Sequence, residues 1–299
     1  MTVARLPGGE SERTRGERPP GCDSGSLLMR RASVSLCDLG WVPEGDTIHH
    51  AAARIRAVLE TRVPEEILTP HPRHHFERWP QRLAGRAVRA VDTHGKHLFL
   101  RFDGGMTLHS HLRMTGAWGV YREGERWRRA HHRAWLVLRC GDWEVVEFDG
   151  PVLELVNDAH TRFDPRLTAL GQDVLGESFN METFLARLRK DDPRRPIGDA
   201  LLNQRTVAGI GNVWKSECCF AARIDPWRAL DEVRDEEALA LVAFARRHMP
   251  ISAREGPRAR PRSVYKRAGQ PCIRCGTSIR RRDQGENNRV TYWCPGCQR

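Results

Sequence analysis

The sequence predicts a multidomain α+β protein, with a β-rich N-terminal region, a helical middle region and a small cysteine-rich C-terminal region. Three observations lead to this prediction. Apolar residues recur at a spacing of two between residues 96 and 148, as in strands, and at three and four between residues 163 and 249, as in helices. Two Cys-x-x-Cys pairs then follow near the end of the chain. At 299 residues the chain is long enough for two or three domains with hydrophobic cores.

The chain begins with a segment that has no pattern of regular structure. Residues 1–41 are rich in Gly, Arg, Ser and Glu and show no sustained periodicity, which predicts a disordered extension. A helix is predicted from Gly45 to near Pro64, because apolar residues recur there at helical spacing, at Ile48, Ala52, Ile55 and Leu59. Asp46 or Thr47 is available as its N-terminal cap.

Strand and helix patterns divide the remaining chain into three domains. Four stretches between Gly and Asp turns are typical of strands: residues 96–102, 105–111, 133–140 and 143–148. They predict a β-rich domain over residues 42–160, built as a sandwich or a flattened barrel. Four helices are predicted in a second domain over residues 161–252: residues 179–188, 197–204, 214–221 and 236–247. A charged, proline-bearing linker begins the third domain, residues 253–299.

The C-terminal cysteines have the spacing of a zinc site. Cys272, Cys275, Cys294 and Cys297 are separated by two, eighteen and two residues. Each Cys-x-x-Cys pair directs two thiolates to one point, so the spacing predicts a zinc ribbon. Four sulfurs leave no open coordination position, and the single zinc ion is therefore structural. The alternative is a pair of reducible disulfides.

Positive charge is concentrated in the same region. Residues 256–299 hold eleven Lys or Arg and two acidic residues, and so carry +9 of the net charge of +11. Four arginines lie between the cysteine pairs: Arg280, Arg281, Arg282 and Arg289. A basic, metal-held hairpin suits the phosphate backbone of a nucleic acid, because each neutralised phosphate releases counterions. The alternative is a solvated charged face.

The sequence excludes a membrane-spanning protein. No apolar run approaches the roughly 18 residues that cross a bilayer. Residues 26–41 have no convincing apolar core or cleavage site of a signal peptide, and the five remaining cysteines form no evident disulfide framework. We therefore expect a cytoplasmic protein with no membrane partner, and a monomer.

A glycine-rich turn in the helical region has the features of an anion site. A predicted helix ends near Gln204, Gly209 and Gly211 permit close backbone approach, and a new helix starts at about Asn212. Backbone N–H groups at that helix start, together with the Asn212 side chain, would bind a phosphate. A plain interhelical turn is equally compatible with these residues.

Five motifs occur in one order along the chain, and together they indicate a family. They are Pro43–Ile48 (PEGDTI), Gly95–Leu98 (GKHL), His109–Leu112 (HSHL), Gly209–Asn212 (GIGN) and Tyr292–Gln298 (YWCPGCQ). The chain from Pro43 onward resembles the formamidopyrimidine-DNA glycosylase and endonuclease VIII family of base-excision repair enzymes, and the endonuclease VIII branch more closely. The resemblance implies an N-terminal β-sandwich with flanking helices, a helix-two-turns-helix domain and a zinc finger, with DNA held in the cleft between the two halves.

The resemblance also implies roles for individual residues. Pro43 matches the terminal proline whose amine attacks C1′ of the damaged nucleoside and forms a Schiff base, from which β- and δ-elimination follow. Glu44 matches the acid that transfers protons and opens the sugar ring, and Lys96 matches a lysine that contacts phosphate at the reacting centre. Asn212 and Arg289 match the two residues that bind the phosphates flanking the lesion. Outside the family context, Glu44 would be a helix first-turn acid and Lys96 a strand-edge lysine.

A loop after the HSHL motif matches the segment that fills the space left by a flipped nucleotide. There Met114 would be an apolar wedge and Arg113 would face the orphaned base; a core position for Met114 is the alternative. The implied partner is double-stranded DNA with damaged bases or abasic sites. The branch resemblance suggests oxidised pyrimidines as substrates. Thr47 stands where the family often has a carboxylate, and Thr115 where the branch can carry an aromatic wedge, so the substrate range stays open.

One departure bears directly on the chemistry. Pro43 is internal, and an internal proline nitrogen is a tertiary amide that cannot form a Schiff base. We expect that translation begins at Val42, with the initiating residue removed ahead of Pro43. The alternative is a non-catalytic protein of the same fold that binds damaged DNA. A nucleic-acid module of the translation machinery is a weaker third option, because it leaves Pro43, Glu44 and Lys96 unexplained.

Overall fold

The N-terminal half of the structure contains two antiparallel four-stranded sheets. We describe a computed structural model that covers residues 42–286 and 288–299. The strands are β1 Glu66–Leu68, β2 Val88–His94, β3 His97–Phe102, β4 Met106–His111, β5 Ala117–Arg122, β6 Ala134–Cys140, β7 Trp143–Phe148 and β8 Val152–Asn157. One sheet has the order β2-β3-β4-β8 and the other β1-β6-β7-β5. The predicted sandwich is therefore confirmed, whereas the predicted extension over residues 1–41 lies outside the described residues.

The core of this half lies between the sheets and one long helix. Helix α1, Gly45–Leu59, presents its buried face to both sheets through Ile48, Ile55 and Leu59. A short helix, α2 Trp79–Leu83, buries Trp79 completely in the same core. The helix predicted from Gly45 begins there but ends at Leu59 rather than near Pro64, and its N-cap residue is Glu44 rather than Asp46 or Thr47. The Thr47 hydroxyl instead accepts the Glu44 backbone N–H at 2.8 Å.

Each of the four predicted strands is present within one residue of its predicted bounds. The strands β1, β2, β5 and β8 were not predicted. Charged and polar residues interrupt their apolar pattern, as Arg89 and Asp92 do in β2. These strands form because a neighbour with a strong pattern pairs with them: β2 pairs with β3 and β8 pairs with β4.

The middle of the chain is helical. The helices are α3 Asp158–Phe163, α4 Pro165–Thr168, α5 Met181–Leu188, α6 Ile197–Leu202, α7 Asn212–Ala222 and α8 Asp235–Glu255. Two short segments, β9 Gln172–Asp173 and β10 Val207–Ala208, pair in parallel beside them. A second core holds these helices together around Trp214, Phe184 and Leu241. Among the described residues, no helix combines the length and the apolar character needed to cross a membrane.

The last helix is longer than its pattern predicts. Helix α8 continues to Glu255 and passes through Pro250, although a proline usually ends or kinks a helix. Contacts with α1 stabilise its final turns: a ring nitrogen of His50 lies 3.0 Å from the Ala253 carbonyl oxygen, and the Ser252 hydroxyl donates to Asp46 at 2.5 Å. Tertiary packing therefore supports a turn that local sequence disfavours.

The cysteine-rich end forms a two-stranded hairpin. Its strands, β11 Arg280–Gln284 and β12 Arg289–Trp293, are antiparallel and pair Arg282 with Thr291. A small third core lies beneath them, formed by Phe220 of α7 with Val264, Ile279, Cys272 and Cys294. The hairpin therefore packs directly on α7.

Candidate active site

The start of α1 lies against the glycine turn that precedes α7. The Gly45 N–H donates to the Gly209 carbonyl oxygen at 2.9 Å. A Cβ on Gly45 would lie 2.9 Å from the Gly209 Cα, and a Cβ on Gly211 would lie 2.3 Å from the Glu44 Cδ. Because no side chain fits at these positions, the glycines permit the contact that joins the β-rich and helical regions. The glycine turn, predicted as an anion site with a plain interhelical turn as the alternative, is thus a packing surface for Glu44 and Gly45.

Glu44 is fully buried at the N-terminus of α7. Its carboxylate accepts the backbone N–H of Val213 at 2.8 Å and that of Trp214 at 3.2 Å. Burial raises the pKa of this carboxyl above its ordinary value, and the charges of Arg260 and Lys96 oppose the rise. A carboxyl with a raised pKa retains a proton more readily near neutral pH, and this suits a group that must give and take protons.

Asp46 is equally buried but has a different partner. The Arg260 Nε donates to Asp46 Oδ2 at 2.6 Å and the Arg260 Nη2 donates to Asp46 Oδ1 at 2.6 Å. Burial would raise the pKa of Asp46, but the charge and hydrogen bonds of Arg260, with that of Ser252, hold it below its ordinary value. From the sequence, Asp46 was only a possible cap and a member of the Pro43–Ile48 motif, and Arg260 had no assigned role. No local spacing could link them, because 213 residues separate them in the sequence.

Lys96 lies in the tight turn between β2 and β3. Gly95 precedes it with φ +58, and a Cβ there would lie 2.7 Å from the Ala208 Cβ of the glycine turn. The Gly95 N–H also donates to Asp173 at 2.8 Å, which fixes the turn. Burial lowers the pKa of Lys96 to about 8; Glu44 opposes this change, whereas Arg289 reinforces it. The structure therefore brings Lys96 into electrostatic contact with both Glu44 and Arg289.

The hairpin and the glycine turn also meet at this centre. The Asn212 amide donates to the Val290 carbonyl oxygen at 2.7 Å, beside Arg289. The Arg289 guanidinium in turn contacts the Met114 sulfur at 3.2 Å. Met114 is 52% exposed, so the alternative core position does not apply. Arg113 is exposed and adopts a left-handed backbone conformation with φ 45 in the same loop.

Two buried charged residues on α7 anchor the C-terminal region, and the sequence analysis missed both. Lys215 is fully buried and donates to Thr291 and, at 3.3 Å, to Gln284 of the hairpin. Burial lowers its pKa to about 8. Glu217 accepts three backbone N–H groups of the linker, from residues 263, 264 and 265, at 2.9 to 3.1 Å. Charged residues within an otherwise apolar helix were the available signal.

The four cysteines converge on one point. Their sulfurs all lie within 4.8 Å of one another. The Cys272–Cys297, Cys275–Cys294 and Cys275–Cys297 sulfur separations are 3.7, 3.5 and 3.3 Å. A disulfide requires about 2.05 Å between sulfurs, whereas four thiolates at the zinc–sulfur distance of about 2.3 Å lie about 3.8 Å apart. The geometry therefore fits a metal-binding cluster better than two disulfides.

Comparisons with known proteins agree with this geometry. The formamidopyrimidine-DNA glycosylase N-terminal domain matches residues 42–152, and the formamidopyrimidine-DNA glycosylase H2TH domain matches residues 170–256. The chain is 41% identical to the probable endonuclease 8 2 of Streptomyces coelicolor, over 86% of this chain and 94% of that protein. It is 38% identical to the DNA-(apurinic or apyrimidinic site) lyase Nei2 of Mycolicibacterium smegmatis, over 86% of this chain and 99% of that protein.

A solved structure extends the comparison to the fold. Formamidopyrimidine-DNA glycosylase of Lactococcus lactis, non-covalently bound to DNA that contains an AP site, is matched with a TM-score of 0.74. The match is 23% identical and covers 86% of this chain and 99% of that chain. At this identity the match establishes the fold, and the closer sequence relatives establish the family. The chain therefore belongs to the formamidopyrimidine-DNA glycosylase and endonuclease 8 family.

Proposed function

We propose that this chain is a bifunctional DNA glycosylase and AP lyase of base-excision repair. It acts on double-stranded DNA, removes oxidised bases, pyrimidines above all, and cleaves the strand at the resulting abasic site. One observation carries the proposal: Glu44, next to Pro43, is buried against the first turn of α7 and in electrostatic contact with Lys96, which Arg289 also influences. Relatives named endonuclease 8 and apurinic or apyrimidinic site lyase support the reaction class.

The nucleophile is the secondary amine of Pro43. Its nitrogen attacks C1′, and the C1′–base bond breaks. The nitrogen then loses its proton, the C1′–O4′ bond breaks as the ring oxygen takes a proton, and the nitrogen–C1′ bond becomes an iminium. Loss of a C2′ proton then expels the 3′ phosphate, and δ-elimination expels the 5′ phosphate. Glu44 supplies the proton that opens the sugar ring and accepts protons in later steps.

This chemistry requires that Pro43 be the first residue of the active form. As an internal residue its nitrogen is an amide and its lone pair is delocalised. The family match begins at residue 42, and 86% of this chain matches 100% of the Mycobacterium bovis relative named endonuclease 8 2. Both observations support an active form that begins at Pro43 and lacks residues 1–42. We place this form in the cytoplasm, in association with DNA.

Cationic and amide side chains around the nucleophile would hold the DNA. Lys96, Asn212 and Arg289 bind the phosphates next to the lesion, and they reach one centre from three separate parts of the fold. Met114 and Arg113 enter the DNA duplex at the position that the damaged nucleotide has left. The excess charge of residues 256–299 strengthens binding through counterion release.

The cysteine cluster would hold one zinc ion. Four thiolates close the coordination shell, so the metal takes no part in the reaction. Its role is to hold the hairpin that carries Arg289, because this segment is too small to fold on its own core. Lys215 and Glu217 then fix the hairpin and the linker to α7.

The test is borohydride trapping on a duplex that contains one abasic site. Three proteins are compared: one that begins at Pro43, one that retains Val42, and one that begins at Met1. The Pro43 form contains all three cores described above, and solved relatives are matched along 99% of their chains by 86% of this one. It is therefore expected to fold alone.

We expect a covalent adduct with the Pro43 form only, because one preceding residue converts the amine into an amide. Tight and specific binding of the abasic duplex without an adduct would contradict the enzyme and identify a non-catalytic damage-binding protein. An adduct of equal yield in all three proteins would show that another amine is the nucleophile.

A further inference from the structure

The Arg260 side chain reaches the peptide group to which the Pro43 nitrogen belongs. Arg260 is 5% exposed, and its Nη1 donates to the Val42 carbonyl oxygen at 3.4 Å. That carbonyl carbon is bonded to the Pro43 nitrogen. A side chain from the linker after α8 thus contacts the start of α1, at the position of the proposed nucleophile.

The Arg260 guanidinium is held in one orientation. Its Nε and Nη2 both donate to the Asp46 carboxylate at 2.6 Å, along one edge of the guanidinium plane. Asp46 also accepts the Ser252 hydroxyl at 2.5 Å, so the carboxylate is fixed from a second direction. The edge of the guanidinium that carries Nε and Nη2 therefore faces Asp46, and Nη1 is left to reach the Val42 carbonyl oxygen.

We propose that Arg260, oriented by Asp46, is a positioning residue that keeps the Pro43 amine unprotonated and therefore nucleophilic at neutral pH. This inference rests on the proposed function, since it concerns the amine of a protein that begins at Pro43. A fixed positive charge close to an amine disfavours the ammonium form. A buried charge acts strongly here because solvent ions screen it poorly.

The other charged groups at this centre act in the same direction on balance. Those in electrostatic contact with Glu44 or Lys96 come from each element that packs here: Glu44 and Asp46 of α1, Lys96 of the β2–β3 turn, Lys215 of α7, Arg260 and Tyr265 of the linker, and Arg289 of β12. Apart from Arg260 and Asp46 themselves, three are basic and one is a carboxylate. A negative charge on Glu44 would favour the ammonium form of Pro43. Burial favours the protonated, uncharged form of Glu44, which has no such effect.

The test measures the rate of borohydride-trappable adduct in proteins that begin at Pro43, from about pH 5 to about pH 9, around the ordinary pKa of a terminal amine. The first variant carries Asp46→Asn with Arg260→Gln. The double change removes both charges, because Arg260→Gln alone would leave a buried, unpaired carboxylate. We expect the midpoint of the pH profile to rise by about one unit, with about tenfold slower trapping well below the midpoint.

Two single variants test the direction of the midpoint shift and whether another positive side chain can replace Arg260. Asp46→Asn keeps the Arg260 charge and removes its counter-charge, so the midpoint should fall. Arg260→Lys keeps a positive charge at the site. Its midpoint should therefore differ less from that of the parent protein than the midpoint of the double variant differs. A purely structural defect lowers trapping at every pH by a similar factor and cannot move midpoints in opposite directions. These two variants keep the test valid if the double variant fails to fold.

A matched control comes from the same segment. Arg254 and Glu255 form an exposed ion pair at 2.8 Å near the end of α8. Arg254→Gln with Glu255→Gln removes the same pair of charges and should leave the midpoint unchanged. Equal midpoints in the parent, the double variant and Asp46→Asn would overturn the role of Arg260. Absence of trapping by the parent at every pH would count instead against the proposed function.

Discussion

Two buried carboxyl groups at the start of α1, in different surroundings, have pKa values shifted in opposite directions. Glu44 and Asp46 are two residues apart and both are fully buried. Glu44 meets two backbone N–H groups of α7, and its pKa is raised. Asp46 accepts two hydrogen bonds from the Arg260 guanidinium, and its pKa is lowered. Burial alone therefore does not set the direction of the pKa shift. The direct, bidentate ion pair with Arg260 outweighs burial at Asp46, whereas the backbone donors and the charges of Arg260 and Lys96 do not outweigh it at Glu44.

The two acids therefore have different roles in the proposed mechanism. A carboxyl with a raised pKa can exchange a proton during the reaction, as Glu44 must do in the proposed mechanism. A carboxylate with a lowered pKa stays charged and holds its partner, as Asp46 holds Arg260. The four predictions below separate these roles, in order of decreasing effect.

Glu44→Gln should abolish most of the chemistry in protein that begins at Pro43. We expect base excision to fall by about 10²- to 10⁴-fold, because proton transfer is lost while shape is retained. DNA affinity should change little, and gel-shift binding of an uncleavable abasic analogue would measure it. Glu182→Gln, which changes an exposed acid of α5 in the same way, is the control. Unchanged turnover in the Gln variant would remove Glu44 from the mechanism.

Arg260→Met should instead destabilise the fold. It leaves Asp46 buried without its counter-charge, and breaking such a pair costs about 3–5 kcal/mol of unfolding free energy. Urea denaturation followed by tryptophan fluorescence measures the loss. The exposed Arg254→Met is the control, with an expected change within about 0.5 kcal/mol. Equal stability of the two variants would contradict the anchoring role of the pair.

The contributions of Glu44 and Asp46 to the free energy of unfolding should depend on pH in opposite directions. Because the folded pKa of Glu44 lies above its reference value of 4.5, its contribution to unfolding free energy declines as pH rises from 4.5 toward that folded pKa. The folded pKa of Asp46 lies below its reference value of 3.8, so its stabilising contribution is present above pH 3.8 and is lost as pH falls toward the folded pKa. Melting temperatures of Glu44→Gln and Asp46→Asn across this range measure both effects. Parallel curves for the two variants would refute the contrast.

Arg289 is a second arginine to compare with Arg260, and it is proposed to bind a phosphate of the DNA. Unlike Arg260, it contacts a half-exposed Met114 and pairs with no carboxylate among the salt bridges between described residues. Arg289→Ala should therefore weaken DNA binding and lower the salt slope by about one unit. Arg122→Ala, on β5 over the Trp143 ring, is the control. An identical salt slope in the parent and the Arg289 variant would exclude a phosphate contact.

Local patterns were sufficient for much of the fold. The start of α1, strand β7 and the spacing of the four cysteines depend on residues close together in the sequence, and each was predicted from them. Strand β2 and the last turns of α8 were not, because their stability comes from β3 and α1 respectively. The glycine turn was identified as a possible anion site, but its contact with Glu44 required the folded chain.

The site divides in the same way. Pro43, Glu44, Lys96, Asn212 and Arg289 were predicted by resemblance, and their chemical roles stay predictions until they are measured. Lys215 and Glu217 were missed, because a charged residue on a helix usually faces solvent and only the packing of the hairpin and linker buries these two. Arg260 was missed because its partner lies at the other end of the chain.

The amino-acid sequence by itself determined the α+β class, the cysteine cluster, the basic C-terminal region and the family, since each depends on residue type and local spacing. Only the tertiary structure decided which buried acid has a raised pKa and which has a lowered one. The reason is physical: a pKa depends on desolvation and on the charges within a few ångströms, and α7 and the linker bring those charges to Glu44 and Asp46 only when the chain folds.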